Sequence, residues 1–244
     1  MIRYWLTPPI DDQLDQKIRD VCSGYTDAPA RAEQGERTVS TDELTGVPAL
    51  ERTYTGLPLA CGKVERREFA YMRHGTRSFI GSRDGVTGQV LAPWSGPTRT
   101  EADFLAHVQA VVARDPTATR WRFVVDNRNI HQSASRVRWV ATESDRDRDL
   151  GTKGTAGILH SQPSRAAFLS APTHRMVFHY TPKHSAWLNQ IEIWFSILVR
   201  QLLRRGAFTS VDDLQAKVLA FIDYSNQTMA KPFKGTYQGK PLMA

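Results

Sequence analysis

Three carboxylates follow segments that could bring them to one edge of a β-sheet. Asp42 ends a β-like run, and Asp126 ends an apolar run that is typical of a buried central strand. Glu192 lies in the first turn of a strongly predicted helix, directly after a strand and a turn. Ligands of open α/β sheets bind beyond the carboxyl ends of the strands, so these three positions suit a shared site.

Converging carboxylates favour a metal-dependent chemistry. Three of them cannot all stay ionised at close range without a cation. Oxygen ligands with no cysteine and little histidine favour a hard metal, Mg²⁺ or Mn²⁺. Two such ions roughly 3.5–4 Å apart can catalyse in-line attack on a phosphodiester, because one activates the attacking oxygen and the other stabilises the leaving oxygen.

Each acid also has a plain structural interpretation. An aspartate at a strand end is commonly a turn or cap residue. Glu192 could simply complement the positive end of a helix dipole. The spacing by itself does not select these three from the 25 acidic residues of the chain.

The elements that must position these acids can be predicted from the hydrophobic pattern. Helical periodicity predicts a helix over 11–25, one behind a capping box at Thr100–Asp103, a short one from about Ser133, one from Asn189 and a last one capped by Ser210. The β-like runs are 38–42, 77–82, 87–93, 121–126 and 175–180. This order predicts an α/β fold with a mixed sheet flanked by helices on both faces. We expect Thr142–Pro172 to be a surface insertion, helical around Arg165–Leu169.

Composition favours an anionic partner. The formal net charge is +7 and the pI is near 9.6, which suit nucleic acid first, although an ordinary basic soluble protein has the same balance. No apolar run approaches the ~20 residues of a membrane span, and the first residues lack a signal-peptide core. Cys22 and Cys61 form no CxxC pair, which argues against zinc and disulfides and favours the cytoplasm.

Short sequence motifs add a family resemblance. Five segments, in this order, resemble the catalytic domain of the IS630 family of insertion-sequence transposases, which is related to the Tc1/mariner group. The resemblance covers about Arg3 to Leu242, and the fourth segment is the most specific. The segments are Ser40–Gly46 (STDELTG), Arg67–Gly75 (REFAYMRHG), Val124–His131 (VVDNRNIH), Tyr180–Phe195 (YTPKHSAWLNQIEIWF) and Lys231–Tyr237 (KPFKGTY).

The resemblance implies an RNase H-like fold with a DDE triad of Asp42, Asp126 and Glu192. In such enzymes the first aspartate touches both of two Mg²⁺ or Mn²⁺ ions, and the other two acids hold one ion each. The implied activity is a DNA transposase and endonuclease. Water hydrolyses a phosphodiester at the element end, and the freed 3′-OH attacks target DNA, expected to be a TA dinucleotide. A homodimer is an expected assembly.

Basic residues near the expected site are candidates for DNA contacts. Each has an alternative role: solvated loop, charged edge strand, helix-dipole complement or, for the histidine, weak coordination or a helix cap. The candidates are Arg67, Arg73, His131, Lys183, His184 and Arg204.

The expected organisation is a linker and helix over 1–37, the RNase H-like catalytic domain over 38–229 with the insertion at about 142–172, and a tail over 230–244. Two features depart from the family. The chain begins where the linker after the N-terminal helix-turn-helix modules is expected, and Gly235 stands where a tryptophan is expected. The alternatives are therefore an inactive or truncated remnant that binds DNA without catalysis, and a general RNase H-like nuclease.

Overall fold

The computed structural model describes residues 14–54, 56–66, 70–144, 149–182 and 185–233. This part of the chain forms seven α-helices and five strands. In chain order they are α1 (Leu14–Thr26), α2 (Ala28–Glu33), β1 (Glu36–Arg52), β2 (Tyr71–Asp84), β3 (Val90–Gly96), α3 (Glu101–Val112), β4 (Arg120–Val125), α4 (Ala134–Glu143), α5 (Gln162–Leu169), β5 (Met176–Tyr180), α6 (Gln190–Leu198) and α7 (Val211–Thr228). A 3₁₀ turn over Asn129–Gln132 precedes α4, another over Ala186–Leu188 precedes α6, and a π-helical turn over Val199–Leu203 extends α6.

The strands form one mixed sheet in the order β3-β2-β1-β4-β5. Strands β2 and β3 are antiparallel to their neighbours, whereas β1, β4 and β5 run parallel. Parallel pairs need helical crossovers, which α3 and the α4–α5 segment supply. The predicted α/β fold with a mixed sheet flanked by helices is confirmed.

Alternating side chains of the strands build a core on each face of the sheet. On β2, Phe79 packs with α6 and α7, whereas the next residue, Ile80, packs with α3 and α4. On β4, Phe123 and Val125 face α3 and α4, whereas Val124 faces α1. The central strands are therefore buried on both sides, which explains the unbroken apolar run of β4.

Strand β1 is longer than the sequence indicated. The β-like run was expected to end at Asp42, but β1 continues to Arg52. Its parallel pairing with β4 stops at Ser40, while its antiparallel pairing with β2 continues to Arg52 with a register shift around Gly46, whose φ is +65°. Asp42 therefore marks the end of one ladder rather than the end of the strand. A change of partner leaves no clear mark on the hydrophobic pattern.

The Thr142–Pro172 segment was expected on the surface, and this is wrong for its second half. Leu159 and Leu169 are buried and belong, with Phe168, to the core between the sheet and α3–α4. The side chain of Arg165 is also buried, where it donates to the carbonyl oxygens of Gln132 and Leu159. The expected helix around Arg165–Leu169 is present as α5.

The helix starts agree with their sequence signals. Thr100 and Asp103 form the expected reciprocal capping box at α3, and Ser210 caps α7 through the backbone N–H of Asp213. Among the described residues, no helix is both long and apolar enough to cross a membrane.

Candidate active site

Asp42 and Asp126 lie just beyond the last pair of the parallel β1–β4 ladder. That pair is Ser40 and Val124, and each acid follows its member of the pair by two residues. The two acids therefore lie at the same edge of the sheet. The two carboxylates are close enough for the charge of Asp126 to act on Asp42. The predicted convergence of these two acids is thus present.

The environment of Asp42 opposes its ionisation. Its side chain is buried, and this burial, followed by the nearby charges of Asp126 and Glu43, raises the pKa of Asp42 to about 7. The carboxylate accepts hydrogen bonds from the backbone N–H of Glu43 at 2.8 Å and from Asn189 Nδ2 at 3.3 Å. Crowded, desolvated carboxylates of this kind are stabilised when a cation joins them.

His131 lies between two carboxylates. One nitrogen, Nδ1, is 2.6 Å from Asp126 Oδ1, and the other, Nε2, is 2.8 Å from Glu43 Oε1. Burial opposes a charge on this ring, but the hydrogen bonds to Asp126 and Glu43 outweigh it and raise the pKa of His131 to about 9. Burial likewise opposes the ionisation of Asp126, but the hydrogen bond from His131, the charge of His131 and the contacts with Arg128 together outweigh it and lower the pKa of Asp126.

Glu43 is a site residue that the sequence reasoning missed. Its carboxylate is fully buried, bonded to His131, and flanked by Arg99 Nη1 at 3.5 Å and Arg128 Nη1 at 3.6 Å. Successive side chains of a strand point to opposite faces, so a strand pattern that selects Asp42 passes over Glu43. The adjacent pair of acids in the otherwise uncharged run Thr38–Thr45 was the available signal.

Helix α6 carries Glu192 in its first turn, as predicted, and α6 packs against β1. The Asn189 side chain, immediately before this helix, donates to the carbonyl oxygen of Thr41 at 3.1 Å as well as to Asp42. Glu192 itself is half-buried. Among the described residues, it is not part of the cluster of closely spaced ligand atoms around Asp42.

The carboxylates of this cluster fit a hard divalent cation. One polar side-chain atom each from Asp42, Glu43 and His131 lies within 4.8 Å of the others, and Asp126 adjoins this cluster through His131, whose two ring nitrogens are engaged by Asp126 and Glu43. The carboxylate oxygens match the preference of Mg²⁺ and Mn²⁺. The raised pKa of Asp42 marks the negative charge that such an ion would offset.

The candidate DNA contacts divide into three cases. Arg73 on β2 and Arg204 after the π-helical turn are exposed, as a phosphate contact requires. His131 is fully buried with both ring nitrogens occupied, so the expectation that it contacts DNA directly is wrong for this structure. Arg67, Lys183 and His184 lie outside the described residues.

The two exposed arginines flank the same end of β1. Arg73 is paired with Leu50, and Arg52 Nη2 donates to the carbonyl oxygen of Arg204. At ~3.3 Å per residue, this end of β1 lies roughly 30 Å from Asp42 along the strand. A duplex reaching both places would extend over about one helical turn.

Comparisons with known proteins agree with this architecture. Residues 37–215 match the family described as "DDE superfamily endonuclease". A comparison with curated proteins finds no match. The fold is similar to that of the Mos1 mariner paired end complex with Mn, at 12% identity over 92% of this chain and 59% of that chain, with a TM-score of 0.52. It is also similar to that of a pre-cleavage Mos1 transpososome, at 12% identity over 91% and 59%, with a TM-score of 0.50. The chain thus spans about three fifths of the length of these structures.

Proposed function

The chain belongs to the DDE superfamily of endonucleases, and from this premise we propose that it is the catalytic domain of a DNA transposase. The observation that carries the proposal is the proximity of Asp42 and Asp126, each two residues beyond the last pair of the β1–β4 ladder, on a sheet whose strand β1 contacts α6, the helix that carries Glu192. The acids Asp42, Asp126 and Glu192 are the proposed triad.

The chain's own residues prepare this site for a phosphodiester reaction. Asp42 presents its carboxylate from β1, Asp126 directly follows β4, and Glu192 lies on α6, the helix that packs against β1. His131 and Arg128 fix the Asp126 carboxylate, with Arg128 Nε at 2.8 Å from Oδ2. Two Mg²⁺ or Mn²⁺ ions bound by the triad would activate the attacking oxygen and stabilise the leaving oxygen. The Mn named for the similar mariner complex supports this choice of metal.

Finer features of the proposal rest on the sequence motifs. The five matching segments and the long interval between Asp126 and Glu192 support membership of the IS630 family. That membership carries two expectations: a TA dinucleotide as target, and transposon ends as the DNA that is cleaved. The net charge of +7 and the exposed arginines near Arg52 support DNA as partner. The free thiols of Cys22 and Cys61 support a reducing compartment such as the cytoplasm.

A homodimer is the assembly we propose. Most of the large apolar side chains that the described residues expose lie in the connection between β1 and β2 and in its flanks. Exposed apolar patches of this kind are common at protein interfaces. The residues are Tyr54, Leu57, Leu59, Val64, Tyr71 and Met72. Light scattering should give a dimeric mass that falls to the monomeric mass when Leu59 and Val64 are changed to serine.

Strand transfer of pre-cleaved ends tests the transposase directly. The protein is incubated with Mn²⁺, a supercoiled target and oligonucleotides ending in a free 3′-OH. We expect joined products from the wild type and none from Asp42→Asn, Asp126→Asn or Glu192→Gln. DNA binding without nicking or joining would favour the inactive remnant. Digestion of RNA–DNA hybrids without joining would favour a general RNase H-like nuclease.

A further inference from the structure

The N-terminus of α6 is not capped by its own N-cap side chain. Asn189 occupies the N-cap position with extended backbone, and asparagine is among the strongest N-cap residues, yet its side chain makes no cap hydrogen bond. Its Nδ2 donates instead to Thr41 and Asp42 on β1. Its Oδ1, the atom that would cap the helix, is buried and has no hydrogen-bond partner among the described residues.

A tyrosine from α1 supplies an acceptor at this helix start. The hydroxyl of Tyr25 lies 3.3 Å from the backbone nitrogen of Gln190, the first residue of α6, and accepts its N–H. Tyr25 is buried, and the ring of Phe233 packs edge-on against it at 5.4 Å. The Tyr25 side chain is therefore held both by the Phe233 ring and by the Gln190 N–H.

Helix α1 is anchored beside both segments that carry the other acids. Ile18, Val21 and Tyr25 share one apolar cluster with Val124, two residues before Asp126, and with Leu188 just before α6. Asp20 Oδ2 lies 2.9 Å from His179 Nδ1 on β5. The hydrogen bond from His179 is the largest cause of the lowered pKa of Asp20, although Asp20 itself is more than half exposed.

We propose that Tyr25 is a positioning residue of the active site. Its hydroxyl accepts the first backbone N–H of α6, while the Asn189 amide before that helix holds Asp42. The Tyr25 contact thus fixes the start of α6, and with it Glu192, relative to α1, and Asn189 joins the same helix start to β1. This inference rests on the proposed function, because it assigns Tyr25 to the geometry of the proposed triad. It also makes α1 part of the catalytic unit rather than a linker before it.

The physical reason lies in the cost of an unpaired buried N–H. Without the Tyr25 hydroxyl, the Gln190 N–H loses its acceptor, and the first turn of α6 loses its hydrogen bond to α1. Asn189 directly precedes this turn, so a shift of the turn moves the Asn189 amide away from Asp42. The expected consequence is a looser arrangement of the acids and weaker metal binding, with the fold retained because the aromatic ring stays in place.

Tyr25→Phe in the 244-residue chain tests the proposal, with Mn²⁺ binding followed by electron paramagnetic resonance. We expect the Mn²⁺ concentration for half-saturation to rise about fivefold, the factor that corresponds to one neutral hydrogen bond. Tyr224→Phe, at an exposed tyrosine of α7, should leave the midpoint unchanged. Ser95→Ala removes a 3.3 Å hydrogen bond between β3 and α7 and serves as the control for a general loss of stability.

A double-mutant cycle separates this role from simple packing. In an Asn189→Ala background, Tyr25→Phe should no longer shift the Mn²⁺ midpoint. Additive shifts, an unchanged midpoint in Tyr25→Phe, or an equal shift in Ser95→Ala would each overturn the positioning role. If the wild type fails to bind Mn²⁺ at all, the proposed function itself is overturned, and the role of Tyr25 with it.

Discussion

At the scale of single residues, His131 links two carboxylates of the site. Its ring spans Asp126 and Glu43, which come from β4 and β1, and its carbonyl oxygen accepts hydrogen bonds from Arg136 and Tyr180. Local patterns made Asp42, Asp126 and His131 candidates, and the family resemblance of the segments that contain them selected the two acids from the 25 in the chain. The only sequence signal for Glu43 was its position beside Asp42, because its partner His131 is 88 residues away.

The pKa of His131 predicts a pH-dependent stability of the metal-free protein. Because the pKa rises from 6.5 to about 9 on folding, its contribution is fully present below about pH 6.5 and is lost as the pH rises through about 9. The full change is worth about 3 kcal/mol of unfolding free energy. Urea unfolding in EDTA across this range should show the decline.

Two substitutions isolate the contribution of His131. His131→Gln should flatten the decline in unfolding free energy, because glutamine does not titrate. His160→Gln, at an exposed histidine, should leave the decline as it is in the wild type. An equal decline in the wild type and in His131→Gln would show that the imidazole carries no charge between its two carboxylates.

At the scale of elements, Arg136 of α4 holds the 3₁₀ turn that carries His131. The guanidinium is fully buried, donates to the carbonyl oxygens of Ile130 and His131, and lies 4.4 Å from the centre of the Phe104 ring. Burial lowers the pKa of Arg136 to about 10. A buried charge bonded to two carbonyl groups fixes the turn more firmly than an apolar side chain could.

Arg136→Leu should lower the unfolding free energy by about 2–3 kcal/mol, because the Ile130 carbonyl loses the donor that Arg136 gives it and the His131 carbonyl keeps only Tyr180. It should also weaken Mn²⁺ binding, since His131 loses its support. Chemical denaturation and a Mn²⁺ titration measure the two effects. Arg138→Leu on the exposed side of the same helix is the matched control and should change neither. Equal stability of the two variants would contradict the role given to Arg136.

Most elements could be predicted because their signals are local. The capping box at Thr100 and the Ser210 cap mark helix starts, and the apolar run of β4 marks a buried strand. The length of β1 and the burial of α5 could not be predicted. Both depend on partners distant in sequence. Beyond Asp42, β1 is held by its pairing with β2, and Leu169 of α5 is buried in the core that the sheet forms with α3 and α4.

At the scale of the whole molecule, the charge distribution separates the acids from the basic end of β1. Three arginines, Arg52, Arg66 and Arg205, and one acid, Glu65, line a cavity of about 370 Å³ at that end, close to Arg204. The net charge of +7 therefore understates how basic the proposed DNA surface is, because the buried acids belong to the metal site. DNA affinity should fall steeply with salt as counterions return to the phosphates.

Arg204→Ala should weaken binding to duplex DNA uniformly across sequences. If it removes one phosphate contact, the slope of log affinity against log salt should change by about one. Fluorescence anisotropy at several salt concentrations measures this slope. Arg138→Ala, on α4 at the opposite face of the sheet, is the control. The same slope for Arg204→Ala as for the wild type would place the DNA elsewhere.

The central claim, that Asp42, Asp126 and Glu192 bind metal ions that cleave DNA, is tested most directly by nicking of a supercoiled plasmid. The wild type, Asp126→Asn and Asp223→Asn, the last at an exposed acid of α7, are compared with Mn²⁺ and with EDTA. We expect Mn²⁺-dependent nicking by the wild type and Asp223→Asn, and a loss of at least about a hundredfold in Asp126→Asn. Nicking by Asp126→Asn at the wild-type rate would contradict the claim.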